Sequence, residues 1–128
     1  LSPACTPALA RQLRAPADLA RLPLLRSYRS DEWSRWFAAA GAGTAPLLRG
    51  PVFDSSLVLA AAAMQGAGVA LLPVRLFGAE LREQRLVQPF TAEVGAGRYW
   101  LTRLQSRPVS AAMRQFRGWL LAQAAPVE

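Results

Sequence analysis

Followed for its apolar and polar positions, the chain breaks into short segments that alternate between the period of a helix and that of a buried strand. Thr6 and Pro7 open a stretch with Leu9 and Leu13 four apart, the pattern of a short helix that ends before Pro16. Pro23 to Tyr28 (PLLRSY) predicts an apolar strand. Ser30 or Asp31 then caps a helix with acids in its first turn, and Trp33, Trp36, Phe37 and Ala40 share one face up to Gly41. Ala45 to Phe53 predicts a second strand, with Pro51 placing an edge or a bend in it. In DSSLVLAAAAMQGAG, Leu57, Ala60, Ala61 and Met64 recur at i, i+3, i+4 and i+7 and predict the buried face of a helix that Gly66 or Gly68 ends. Val69 to Pro73 (VALLP) fits a strand buried on both faces. A helical stretch around Leu76 to Glu83, strands over RLVQPF and RYWLTRL, and a final helix from about Ser110 to Gln123 complete the pass. This rhythm is α/β, with parallel strands joined by helical crossovers.

Composition narrows the function classes. At 128 residues and 52% hydrophobic content the chain is long enough for one core and short for two complete domains. Arg or Asp interrupts every apolar run before it reaches the roughly 18 residues that span a bilayer, and no signal-peptide pattern opens the chain, so a soluble cytoplasmic protein is expected. There is no histidine and a single cysteine, Cys5, which removes the commonest general base, the Ser-His and Cys-His nucleophile pairs, disulfides and thiolate zinc sites. Neither a metal nor a cofactor is expected, and an enzyme is not. The net charge of +7 invites a polyanion reading, but all fifteen cations are scattered arginines, and no helix-turn-helix, zinc-finger or RNA-binding pattern supports it.

Candidate chemistry concentrates where predicted strands turn into helices, the place where open α/β sheets bind ligands. Phe53, Asp54, Ser55 and Ser56 stand at one such junction. Free backbone N-H groups at a helix start favour acceptor groups, and two serine hydroxyls add donors. The bland alternative is capping, for which one polar residue suffices. Ser27, Tyr28, Arg29 and Asp31 stand at a second junction, where a cap plus a surface arginine is the corresponding plain reading. Tyr99 and Arg103 share a face of the predicted strand RYWLTRL. A catalytic Ser55 would need a base that the composition does not supply.

The strings LLRSYRSDEWSRWFAAAG, VFDSSLVLAAAAMQGAGVALLP, RLVQPF and YWLTRLQSRP together resemble the effector-binding domain of LysR-type transcriptional regulators, and more narrowly the AmpR-type regulators of chromosomal β-lactamase. The resemblance covers nearly the whole chain. It implies a periplasmic-binding-protein-like regulatory subdomain with a mostly parallel sheet flanked by helices. Residues 1–98 would be the second subdomain of the effector-binding domain, and residues 99–128 the return segment and C-terminal helix of the first, with the DNA-binding domain absent from this chain. The implied ligands are muropeptides, namely UDP-MurNAc-pentapeptide and anhydro-muropeptides, and the implied output is control of a β-lactamase gene. Ser56, with Ser55 beside it, and Tyr99 would line the effector cleft, with Asp54, Phe53 and Tyr28 around them. DNA contact would come only through the absent domain, with no membrane partner and with assembly into a homo-oligomer. The alternatives are an effector domain for another small anionic or amino-acid-like ligand, or a solute-binding domain.

Overall fold

The apolar run at Val69 becomes the centre of the sheet. β4 (Ala70–Leu72) is buried along its whole length, as a strand covered on both faces requires. β1 (Ser2–Ala4) pairs with it antiparallel, Ser2 opposite Leu72 and Ala4 opposite Ala70. On the other side Leu24 bridges Val69 in the parallel sense: Leu25 N donates to Val69 O at 2.9 Å and Val69 N to Pro23 O at 2.8 Å. β2 (Arg26–Ser27) continues from that joint and runs parallel to β3 (Val52–Phe53). Cys5 and Val87 exchange antiparallel bonds of 3.1 and 2.8 Å at the far edge. The order is therefore β3, β2, β4, β1, then Val87. The two crossover joins are parallel, while β1 and the Val87 edge run antiparallel. The computed structural model describes residues 1–97 and 100–124, and the chain divides into two units, Leu1–Ala96 and Gly97–Glu128.

Alternation along the strands sends neighbouring side chains to opposite faces, and each face has its own helix. Leu24, Val69 and Leu71 pack with Trp33, Trp36 and Phe37 of α2 (Glu32–Ala39). Leu25, Ala70 and Leu72 pack with Leu59, Ala60 and Ala63 of α3 (Ser56–Met64). The aromatic face of α2 is buried as its spacing predicts, and both indole N-H groups find acceptors: Trp33 donates to Leu25 O and Trp36 to Ala92 O, each at 2.9 Å. Trp33 and Trp36 meet edge to face with centroids 6.2 Å apart. Ser2, fully buried in β1, donates to Ala92 O at 3.1 Å and accepts from Gln88 at 3.0 Å, which satisfies its hydroxyl.

α3 sits in a different phase from the one its spacing predicts. Ala60 is buried, but Leu59 and Ala63 join it in place of Leu57 and Ala61, and Leu57 is 70% exposed. A helix apolar all round carries no polar stripe to fix its phase, so tertiary packing sets it. Gly66 takes a φ of +78° and closes the helix, as expected of a C-terminal glycine. Gly68 has another task, because a Cβ there would stand 2.3 Å from the Pro23 carbonyl oxygen.

Other elements are shorter than their patterns suggest. α1 is one turn, Pro7–Ala10, capped by Thr6, and a 3-10 helix follows at Pro16–Arg21. There Asp18 accepts from the N-H groups of Arg14 and Ala15, each at 2.9 Å. The predicted strand from Ala45 reduces to Val52–Phe53, and RLVQPF reduces to the bridge at Val87. A 3-10 turn (Val74–Phe77) and α4 (Gly78–Arg82) fill the helical stretch expected there. In the second unit residues 100–104 form no strand, since a strand needs a hydrogen-bonded partner and the described residues supply none. α5 (Ala111–Ala124) matches the predicted final helix, with Ser110 accepting from Met113 N at 3.2 Å. Phe116 and Trp119 stand one turn apart on it, and Met113, Phe116, Trp119 and Leu121 are exposed. No helix among the described residues is long and apolar enough to cross a membrane.

Candidate functional site

β2 and β3 are adjacent and parallel, yet the chain leaves β2 into α2 on one face and β3 into α3 on the other. Connections that diverge to opposite faces open a crevice at the strands' carboxyl ends, the switch point where doubly wound sheets take ligands. The residues there are Ser27, Tyr28 and Arg29 from β2, and Phe53, Asp54, Ser55 and Ser56 from β3. Tyr28 N donates to Phe53 O at 3.2 Å, which ties the two ends together.

Within the polar triplet the tasks divide. Ser55 is the N-cap of α3: its backbone is extended (φ −130°, ψ 132°) and its Oγ accepts from Leu57 N at 3.2 Å. One serine thus does what capping demands. Ser56 begins the helix, half-buried, and Asp54 is exposed. Neither side chain has a hydrogen-bond or ion-pair partner among the described residues. Phe53 packs its ring against the α3 core. Tyr28 is 61% exposed, with the Arg29 guanidinium 5.2 Å from its ring centroid.

A residue that sequence reasoning treats as an ordinary first-turn acid organises the β2 side. Glu32 is 6% exposed; it accepts the Ser27 hydroxyl at 2.6 Å and pairs with Arg29 at 3.6 Å. Ser27 Oγ in turn accepts from Arg29 N at 3.0 Å, so one buried carboxylate fixes Ser27 and Arg29 at the end of β2. The signal was present in the sequence: Glu32 stands four residues before Trp36, on the apolar face rather than the solvated one. Arg29 also donates to Ala96 O at 3.3 Å, and Arg35 to Gly95 O at 2.8 Å.

Beside the crevice lies a cavity of about 490 Å3 walled by parts of β2, α2 and the 45–48 segment. Tyr99 lies outside the described residues. Arg103 is exposed in the second unit and donates to Leu104 O at 3.4 Å. Cys5 is buried, and desolvation pushes its thiol up to about 11, so it presents no thiolate at neutral pH. Among the described residues no group of His, Cys, Asp and Glu is arranged to hold a metal ion. The strand ends thus bring together hydroxyls, a carboxylate and two aromatic rings.

Residues 1–125 match the family described as LysR substrate binding domain. The chain is 55% identical over 122 residues to the HTH-type transcriptional activator AmpR of Pseudomonas aeruginosa, and 52% identical over 121 residues to that of Citrobacter freundii. Both alignments cover 94% of this chain but 41% and 42% of the relatives, so the chain spans about two fifths of their length. Among solved structures, the effector domain of Pseudomonas aeruginosa AmpR superposes with a TM-score of 0.89 at 52% identity, covering 96% of this chain and 60% of that one. The Citrobacter freundii AmpR effector binding domain gives 0.86 at 49% identity, covering 95% and 62%.

Proposed function

This chain belongs to the LysR substrate-binding domain family, and from that membership we propose that it is the effector-sensing portion of a transcriptional regulator that binds cell-wall muropeptides and controls a β-lactamase gene. One observation carries the reading. A chain about half identical to AmpR activators over 94% of its length holds, at its switch point, a capped helix start with Ser56 and Asp54 uncommitted. The Ser56 hydroxyl takes an acceptor on the ligand, beside Ser55. Asp54 accepts from ligand N-H groups, Phe53 and Tyr28 form the walls, and the Tyr99 hydroxyl completes the set.

In this reading residues 1–98 are the second subdomain of the effector-binding domain, and residues 99–128 return to the first. The role is sensing rather than catalysis. DNA is contacted by a domain outside this chain, in a cytoplasmic homo-oligomer. An effector shifts such a regulator only through unequal affinity for its two states, and contacts divided between subdomains supply that inequality.

The test is thermal unfolding of the chain with increasing UDP-MurNAc-pentapeptide. Binding raises the midpoint saturably, by the equivalent of about 2.7 kcal/mol at a hundredfold excess over the dissociation constant. Ser56→Ala reduces that rise. A midpoint that ignores every muropeptide, in this chain and in a full-length regulator carrying it, refutes the assignment. The exposed carboxylate of Asp54 favours one second reading, an amino-acid-like effector, and free amino acids in the same titration separate the two.

A further inference from the structure

The last residues of the first unit form a strap beside α2. Ala92, Val94 and Ala96 are half-buried and alternate with exposed neighbours, the period of an extended chain lying on a surface. The start of the strap is fastened in several ways. Ala92 and Val94 pack against the aromatic cluster of α2, Trp36 and Ser2 both donate to Ala92 O, at 2.9 and 3.1 Å, and Val94 N donates to Leu1 O at 2.9 Å. Beyond Val94 that fastening ends. Gly95 and Gly97 bring no side chain to pack, and Gly97 takes a φ of +95°. Two guanidiniums hold this outer part among the described residues: Arg35 Nη2 donates to Gly95 O at 2.8 Å and Arg29 Nη1 to Ala96 O at 3.3 Å. Each arginine also faces a carboxylate, but the two pairs differ. Asp31, 3.8 Å from Arg35, is exposed, so water screens the pair, and the shorter bond of Arg35 is the one to the strap. Glu32, 3.6 Å from Arg29, is buried.

We propose that Arg35 and Arg29 form a clasp that latches residues 95–96 onto α2, and that opening the clasp frees Gly95 and Ala96 while Ala92 and Val94 stay in place. Arg35 is a positioning residue that acts through the backbone of the strap. Arg29 joins the clasp to the end of β2: the same guanidinium lies 5.2 Å from the Tyr28 ring centroid and pairs with Glu32, which also accepts the Ser27 hydroxyl. A displacement of Tyr28 is therefore carried to Ala96 through one side chain. Exposed hydrogen bonds with little apolar packing behind them mark the part of a fold that opens first, and residues 95–96 have only such bonds, whereas Ala92 and Val94 have packing as well. The boundary between fixed and releasable chain thus falls at Val94, two residues before the first unit ends at Ala96.

The experiment is backbone 15N relaxation of the 128-residue chain as wild type, Arg35→Ala, Arg29→Gln and Asp31→Asn. In the wild type the amides of Gly95 and Ala96 have order parameters close to those of α2, about 0.85, and Arg35→Ala lowers both below about 0.6 while Val94 and α2 keep theirs. Arg29→Gln loosens Ala96 more than Gly95. Asp31→Asn is the control for a role confined to the α2 surface: it removes the exposed ion pair, keeps the bond from Arg35 to Gly95, and leaves the strap as ordered as before. Order parameters at Gly95 and Ala96 that are already below about 0.6 in the wild type, or that Arg35→Ala leaves unchanged, overturn the proposal. Equal loosening by Asp31→Asn overturns it as well, because the ion pair and not the clasp then sets the order. Loosening that spreads to α2 in both arginine variants also overturns it, since the arginines then hold the unit together and not a latch upon it.

Discussion

Replacing Gly68 by alanine tests the joint that carries the candidate site. The new Cβ would lie 2.3 Å from the Pro23 carbonyl oxygen and 3.1 Å from its carbon, and neither atom can swing aside as a side-chain tip would. Room is made only if the Leu24–Val69 bridge opens. That opening loses the bonds Val69 N to Pro23 O and Leu25 N to Val69 O, worth about 0.5–1.5 kcal/mol each. It also loosens the packing of Val69 and Leu24, 0% and 7% exposed, adding about 1 kcal/mol or more. The sum is about 2–4 kcal/mol, or a midpoint lowered by roughly 10–20 °C for a unit of this size. Gly66→Ala is the control: its φ is +78° and nothing lies within 4 Å of the added Cβ, so it carries only the left-handed backbone cost of about 1–2 kcal/mol. Thermal and urea unfolding followed by circular dichroism compare the two. A Gly68→Ala protein that melts no lower than Gly66→Ala refutes the steric reasoning. Because β2 continues directly from this joint, Gly68→Ala also weakens ligand binding at Tyr28, while Gly66→Ala does not.

Glu32→Ala strands the Ser27 hydroxyl and Arg29 together and lowers stability by about 1–3 kcal/mol in urea unfolding, whereas Glu32→Gln keeps an acceptor for Ser27 and loses clearly less; equal losses would remove the Ser27 hydrogen bond from the account and leave the ion pair. The Cys5 thiol, raised to about 11 by desolvation, contributes stability that is complete below its unfolded value of about 8.5 and is lost as the pH rises through about 11. At pH 8 a thiol reagent labels Cys5 only after denaturation, and rapid labelling of native protein would contradict its burial. The Asp18 carboxyl is held below its ordinary value by the N-H groups of Ala15 and Arg14, with Arg21 adding to it, so its contribution is present above the ordinary carboxylate value and fades as acid titrates the lowered one. Amide exchange at Arg14 and Ala15 relative to unstructured controls loses protection on acidification in wild type and lacks it throughout in Asp18→Ala; protection independent of pH would refute the arrangement.

The α/β rhythm, the aromatic face of α2, the buried run at Val69 and the helix start at Ser55 were legible in the sequence, because each is encoded by neighbours a few residues apart. β1 was not: Ser2-Pro3-Ala4 has no strand pattern of its own, and only Leu72 and Ala70, some seventy residues away, make it one. The phase of α3 was illegible for the opposite reason, since every residue from Leu57 to Met64 is apolar and any face would serve. RLVQPF and the described residues 100–104 show that an apolar alternation is a strand only where a partner accepts it. At the candidate site the Asp-Ser-Ser triplet drew attention before any coordinates. Its division into a capping Ser55 and an uncommitted Ser56, and the anchoring of Ser27 and Arg29 by Glu32, needed three dimensions.

The tryptophans give the molecule an optical handle. Trp33 and Trp36 are 3% and 0% exposed and touch edge to face, whereas Trp100 and Trp119 are 77% and 58% exposed. A collisional quencher such as acrylamide silences the outer pair and leaves the inner one shining. Trp33 both bonds Leu25 and walls the cavity beside β2, so part of the surviving emission comes from an indole on the wall of that cavity. The fold thus carries its own fluorophore under the carboxyl end of β2, where a change in packing is read with no dye and no engineered residue.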